Sequence, residues 1–380
     1  MYVNIAVLKE TTPGEHRVAL VPDVVPGLIK LGARLHMESG AADGIGLADT
    51  DFSDVVVISD RSVLVADADV VLCVQPPALE VIDAMKPGAV LICYVNNDLP
   101  LLKHLLDRKI TCFAIEKLPR VTRAQSMDAL SSQAALAGYS AVMLGAAALA
   151  RVLPKVTTAA GTIGPAHVLV MGLGVAGLEA LATAHRLGAV TEGYDVRPET
   201  REQALSLGST FVDTGVDATG KGGYARALTT EEKAKVANAL TTHIQSADLI
   251  ITTAAIPGKP SPKLISTKQV AGMRPGAVIV DLAAEGGGNC EDSVPGETLK
   301  VGAVTILAPL NVGSMLAEDA SKLYAKNLAN FLGLMLHDNI LTVDVTDEIL
   351  SAAVLSHDGK RLNAPAPATP KSSKSAAEVA

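Results

Sequence analysis

Two groupings of residues in this 380-residue sequence have the types and spacing to do chemistry. The first is Gly172-Leu173-Gly174-Val175-Ala176-Gly177, entered directly from the apolar run Val168–Met171 and left through a helical pattern over Leu178–Leu187. A strand that runs into Gly-x-Gly-x-x-Gly and out into a helix is a phosphate cradle. Gly172 permits the tight turn, Gly174 lets a pyrophosphate reach the backbone, and Gly177 lets helix and strand pack closely. Amide donors and the positive end of the helix dipole then face the phosphates. A strand read over Val190–Asp195 ends in a carboxylate about twenty residues on, where adenosine ribose hydroxyls would lie. The pattern implies a dinucleotide. Asp195, followed by Val196, favours NAD over NADP by repelling a 2′-phosphate; the nearby Arg197 cation works against that preference.

The second grouping is Pro119–Asp128, followed by Ser131-Ser132-Gln133. Arg120, Gln125 and Asp128 are polar groups in a short loop leading into an apolar helix, with Ser126 placed to cap it. Such a loop could grip a carboxamide and a ribose, or it could be a solvated helix start. Tyr224, set among Gly220, Gly222 and Gly223, reads equally as a hinge-mounted lid and as an exposed loop residue.

These residues need elements to position them. Short β-branched runs at Asn4–Leu8, Arg34–Met37, Val70–Val74, Ala89–Tyr94 and Thr111–Ile115 alternate with amphipathic segments such as Asp23–Leu31 and Leu99–Arg108. A long Ala-rich helix follows over Ser126–Leu153, then a loop over Pro154–Pro165. A second series has strands at His167–Gly172, Val190–Asp195, Leu249–Thr253, Ala277–Leu282 and Val304–Leu307, interrupted by the polar insertion Asp213–Lys235. A helix over about Ala317–Leu336 should cross back. Alternation of this kind implies βαβ units and the α/β class. We expect two doubly wound parallel-sheet, Rossmann-like domains joined by long helices with a cleft between them. The first would comprise residues 1–130 plus 320–357, the second, NAD(H)-binding domain 131–319, and a disordered tail 358–380.

Composition narrows the function. The net charge is −8 and no basic cluster is visible, which argues against nucleic acid. Cys73, Cys93, Cys112 and Cys290 are far apart in apolar runs and read as buried free thiols. The histidines lack ligand spacing, so no structural metal is expected. The N-terminus reads as a first strand, and the apolar stretches 134–150 and 163–182 read as buried elements of a soluble chain rather than membrane spans.

The Pro119–Ser131 segment, with Lys9-Glu10 and Gly14–Leu20, resembles the soluble NAD(H)-binding subunit (domain I) of proton-translocating NAD(P) transhydrogenase, a family related to alanine dehydrogenase. The resemblance extends to about Leu336. It implies contact roles at the nicotinamide end for Arg120, Gln125, Asp128 and Ser131, with the first three positioning the ring, and a covering role for Tyr224. It also places Val175 and Ala176 of the glycine turn, Ala255 within Thr253–Gly258, and Glu285 beside Gly286–Asn289 around the cofactor. It further implies direct hydride transfer, of the Si-Re (AB) type, from NADH to NADP⁺ on an NADP(H)-binding partner, with proton translocation by a membrane-spanning subunit. The chain itself would be a cytoplasmic homodimer, peripheral to the inner membrane.

The alanine dehydrogenase relatives sharpen the expectation. Oxidising an amino acid requires a general base and a cation for the substrate carboxylate. Where those enzymes carry a His and a Lys, this sequence has Asn96 and Gln75, and their catalytic Asp corresponds to Glu285. Arg17, matching their substrate-binding Arg, is retained and could instead be an ion-pair partner of Glu10 or Glu15. Glu116 reads as a structural strand-end carboxylate. Transfer between two nicotinamides exchanges no proton, so alignment and exclusion of water suffice. The rival expectations are a stand-alone alanine dehydrogenase-like enzyme and a non-catalytic NAD(H)-binding regulatory subunit.

Overall fold

The computed structural model of the chain describes residues 2–95, 99–220, 226–256 and 259–363. Asn96, Tyr224, Pro257 and Gly258, singled out above, lie outside them, as do residues 364–380.

The first sheet contains β1 (Val3–Val7), β2 (Ala33–Glu38), β3 (Val55–Ile58), β4 (Val70–Leu72), β5 (Val90–Cys93) and β6 (Thr111–Ala114). They are parallel in the order β3-β2-β1-β4-β5-β6. Strand β5 is buried along its whole length, as strands covered on both faces must be. The edge strand β3 is half-exposed, with a pattern too weakly buried to be expected from sequence. Two late strands, Val354–His357 and Lys360–Arg361, add antiparallel beyond β6. The ordered chain therefore runs past residue 358, where a disordered tail was expected.

A hairpin, β7 (Val156–Thr158) with β8 (Gly161–Ile163), replaces the expected loop and stands outside both large sheets. The second sheet comprises β9 (His167–Met171), β10 (Val190–Tyr194), β11 (Thr210–Phe211), β12 (Leu249–Thr252), β13 (Val278–Asp281), β14 (Thr298–Val301) and β15 (Val304–Leu307). Its order is β11-β10-β9-β12-β13-β15-β14, with β14 antiparallel. The fold is thus α/β with two Rossmann-type sheets, each with antiparallel strands added at an edge. Part of the expected polar insertion is instead the start of a helix, Thr230–Ser246. Thr229 and Glu232 form its capping box, and only Val236, Leu240 and Ile244 are buried. Its polar face concealed it.

Two helices join the halves. The return helix, Ala317–Leu332, buries Tyr324, Leu328, Phe331 and Leu332 in the first core. Phe331 meets Phe113 edge-on at 5.2 Å, and the buried Tyr324 hydroxyl donates to the Cys73 carbonyl at 2.9 Å. The junction helix, Ala129–Ala148, is shorter than expected. A 3₁₀ segment, Thr122–Met127, precedes it, and Leu149 turns extended at its end. Asp128, not Ser126, is its N-cap, accepting from the Ser131 amide at 2.9 Å. The Ser126 carbonyl instead accepts from Asn327 and Asn330 of the return helix.

The junction helix lies against the helix Val175–Arg186, backbone to backbone. A Cβ on Gly138 would stand 2.1 Å from the Ala176 carbonyl oxygen. Neither partner can yield without a shift of a whole helix. Gly138→Ala is expected to lower stability by about 2 kcal/mol or more, read as a fall in the thermal unfolding midpoint.

Candidate functional site

The glycine turn leaves β9 where strand order reverses, with β10 on one side and β12 on the other. Loops diverge at such a point and open a crevice at the carboxyl edge. Gly172 has φ +100°, and Gly177 is packed so closely that a Cβ would fall 1.8 Å from the Gly172 carbonyl oxygen. Gly174 differs from both. It is the N-cap of the helix Val175–Arg186, and a Cβ there would meet nothing within 4 Å. Two glycines serve the chain and the third faces open space, into which the partnerless amides of the helix start are directed. Val175 is exposed at this edge and Ala176 half-buried. The residues fit a pyrophosphate.

Asp195 follows β10 directly. Its Oδ2 accepts from the Leu173 amide at 2.7 Å, so the carboxylate also shapes the glycine turn. Val196 is half-buried, and its carbonyl accepts from the Ala218 amide. On the other side of the turn, the Thr253 hydroxyl donates to the Gly172 carbonyl at 2.7 Å. The Asn289 carboxamide accepts from the Ala254 amide and donates to the carbonyls of Ala254 and Pro262. Asn289 is in turn held by Asp281, a fully buried carboxylate. Asp281 accepts from Thr252 and Ser293 hydroxyls and from the amides of Ala283, Asn289 and Cys290. Sequence reasoning missed Asp281. An acid closing an apolar strand just before a run of three glycines was the available signal. Ala255 and Glu285, on the two loops so tied, are both exposed.

The carboxyl edge of the first sheet carries a second polar cluster, shared with the second half. Arg17 donates through Nε and Nη2 to the two oxygens of Glu15, at 2.7 and 2.6 Å. It also donates through Nη1 to Gln133 of the junction helix at 2.9 Å and through Nη2 to Asn311 at 3.1 Å. Glu15 accepts further from Gln75 at 2.8 Å and Asn311 at 3.1 Å. Asn311 sits in the left-handed region, φ +46°, and its amide donates to Glu285 at 2.8 Å. Glu15, not Glu10, is therefore the partner of Arg17. Glu10 accepts from the amides of Val74 and Gln75. The Val95 amide donates to Glu116, the strand-end role expected of that carboxylate. A cavity of about 870 Å³ opens beside this cluster, lined by Gly14, His16, Ile45, Asn311, Ser314 and Met315.

The two glutamates have opposite electrostatics. Burial pulls Glu15 upward, but the Arg17 guanidinium prevails and holds it down at about 2. Burial pushes Glu10 up to about 7, against the two amides that favour its charged form. Arg120 and Gln125 are exposed on the loop before the junction helix. Asp128 and Ser131 are engaged with each other, hydroxyl to carboxylate at 2.6 Å. Among the described residues, no group of three or more His, Cys, Asp or Glu side chains could hold a metal ion, and no helix is long and apolar enough to cross a membrane. The four cysteines are buried and free.

Fold and site together define a two-domain α/β protein with a dinucleotide crevice at the switch point of its second sheet. The chain belongs to the alanine dehydrogenase/PNT family, whose N-terminal domain matches residues 6–137 and whose C-terminal domain matches residues 141–364. It is 44% identical over 372 residues to an NAD(P) transhydrogenase subunit alpha protein of Rhodospirillum rubrum, covering 94% of this chain and 97% of that one. The Rickettsia prowazekii protein of the same name is 39% identical over 95% of this chain and 96% of its own length. Alanine dehydrogenase of Halomonas elongata is more distant, at 29% over 94% of each. The transhydrogenase structure from Sinorhizobium meliloti superposes with a TM-score of 0.86 at 40% identity, covering 94% of this chain and all of that one. The chain thus groups with the transhydrogenase alpha subunits.

Two outcomes follow from the geometry. Gly174→Val is expected to keep the wild-type unfolding midpoint but weaken NADH binding by at least about tenfold, whereas Gly177→Val should fail to fold stably. Calorimetry and NADH titration distinguish them. For pH, Glu15 stabilises fully at neutrality and loses that effect as pH falls from about 4.5 toward 2. Glu10, with its raised value, contributes fully below about 4.5 and loses that contribution as pH rises toward 7. Glu10→Gln should therefore flatten the fall of the unfolding midpoint between about pH 5 and about pH 8.

Proposed function

We propose that this chain is the NAD(H)-binding subunit of a proton-translocating NAD(P) transhydrogenase. It presents its bound nucleotide to NADP(H) held by a separate subunit, with transfer of the Si-Re (AB) type. When bound, the reduced nicotinamide supplies the hydride. The chain's residues bind, orient and keep water out. The glycine turn holds the pyrophosphate, Asp195 the adenosine ribose, and Arg120, Gln125, Asp128 and Ser131 the nicotinamide end, with Tyr224 as cover. In this reading residues 1–130 plus 320–357 form one domain and 131–319 the nucleotide domain. The chain acts as a homodimer in the cytoplasm, attached to the inner membrane through its membrane-spanning partner.

The observation that carries the reading is the engagement of Arg17. Its guanidinium side chain is 5% exposed and is bonded to Glu15, Gln133 and Asn311. Gln75 is bonded to Glu15. A small amino acid would find neither a cation for its carboxylate nor a base for its proton. A reaction between two nicotinamides needs neither.

Mixing the purified chain with an NADP(H)-binding subunit and following NADH-dependent reduction of an NADP⁺ analogue tests this. The expected result is turnover that depends on both proteins, with none when alanine and NAD⁺ are given to the chain alone. Confirmed NADH binding without transfer would overturn the proposal. In the same assay, Gln125→Asn should slow transfer by about tenfold while changing NADH affinity by less than about threefold, because misplacing the ring costs rate before it costs binding.

A further inference from the structure

Asp195 is more fully occupied than a carboxylate awaiting a ribose should be. Its side chain is 6% exposed, and each oxygen accepts two hydrogen bonds. Oδ1 takes the Arg197 amide and Nε, both at 2.9 Å. Oδ2 takes the Leu173 amide at 2.7 Å and Arg197 Nη2 at 2.8 Å. A carboxylate offers about four lone-pair positions. A ribose hydroxyl can donate here only if one of these donors leaves.

The donors differ in what their departure would cost. The Leu173 amide is fixed by the glycine turn. The Arg197 backbone is anchored on both sides, its amide on Asp195 and its carbonyl by the Thr200 amide and hydroxyl. The Arg197 side chain turns about its own single bonds without moving any backbone, and its Nε and Nη2 form a parallel two-donor fork on the carboxylate. A vicinal diol presents two adjacent O–H donors in the same arrangement.

We propose that the Arg197 side chain is an internal stand-in for the adenosine ribose diol, which a dinucleotide must displace from Asp195 in order to bind. The inference rests on reading Asp195 as the ribose partner. It makes Arg197 a competitor that sets the affinity of the crevice, rather than a contact that adds to it. It also keeps Asp195 neutralised until a diol arrives, so a nucleotide lacking the hydroxyls cannot release it.

The test is titration of NADH, through its own fluorescence, into the full chain and its Arg197→Ala variant. Displacement by AMP and by 2′,3′-dideoxy-AMP completes it. The variant is expected to bind NADH about tenfold more tightly, the effect of removing a competing charge-assisted pair. AMP should gain in the same way, while dideoxy-AMP should displace NADH no better relative to its binding of the wild type. Should Arg197→Ala fold poorly, Arg197→Lys, which keeps the charge but loses the fork, should show a smaller gain with the same dependence on the hydroxyls. Unchanged or weaker binding by a folded variant, or equal gains for AMP and dideoxy-AMP, would overturn the inference alone. A wild-type chain that binds no NADH would overturn it together with the proposed function.

Discussion

The buried pair of Arg17 and Glu15 is the interaction on which the working geometry depends. Taking two charges out of water is costly, and a pair of this kind holds only when further hydrogen bonds complete it. Here those bonds come from every direction: Gln75 from the first sheet's edge, Gln133 from the junction helix, and Asn311 from the end of the second sheet. Satisfying one ion pair therefore fixes three segments at once. Asn311 accepts a left-handed backbone to take part, a cost tolerated because the surrounding bonds over-determine it.

The same pair accounts for how one fold can host different chemistry. Families that share a two-sheet architecture differ in what their cleft residues leave available. In this chain the cation nearest the cleft is committed to its own carboxylate, and the neighbouring position is a neutral amide bonded to that carboxylate. The second sheet's edge has its own hub in Asp281 and Asn289, which tie the loops after β12 and β13 into one body. Rigid support on both sides suits a site whose task is to hold a ring in place.

Much of this was legible in the sequence, and the gaps have physical causes. The glycine turn and Asp195 could be read because backbone geometry dictates their residue types. The buried strands could be read because cover on both faces demands unbroken apolar runs. Strand β3, the hairpin 156–163 and the polar-faced helix Thr230–Ser246 were missed because exposed elements leave weak patterns. Ser126 was read as a cap because serine suits the position, but Asp128 competes better for the Ser131 amide. The Arg17 network joins residues almost 300 positions apart, and spacing along a chain carries no trace of such contacts. Asn311 and Asp281 were invisible for that reason. The Arg197 fork on Asp195 was overlooked although the two are near neighbours, because sequence shows that charges are close but not which way they point.

Gly138 adds a mechanical consequence. Where most helices meet through side chains that can re-pack, the junction helix touches the Val175–Arg186 helix through bare backbone at the Ala176 carbonyl. A joint without compliant padding passes on a tilt undiminished. The junction helix is also gripped by the first domain through Gln133. Any rocking of one half against the other is therefore felt, at nearly full amplitude, one residue from the cradle's last glycine. Whatever docks across the cleft and whatever sits on the phosphate turn share a single stiff lever.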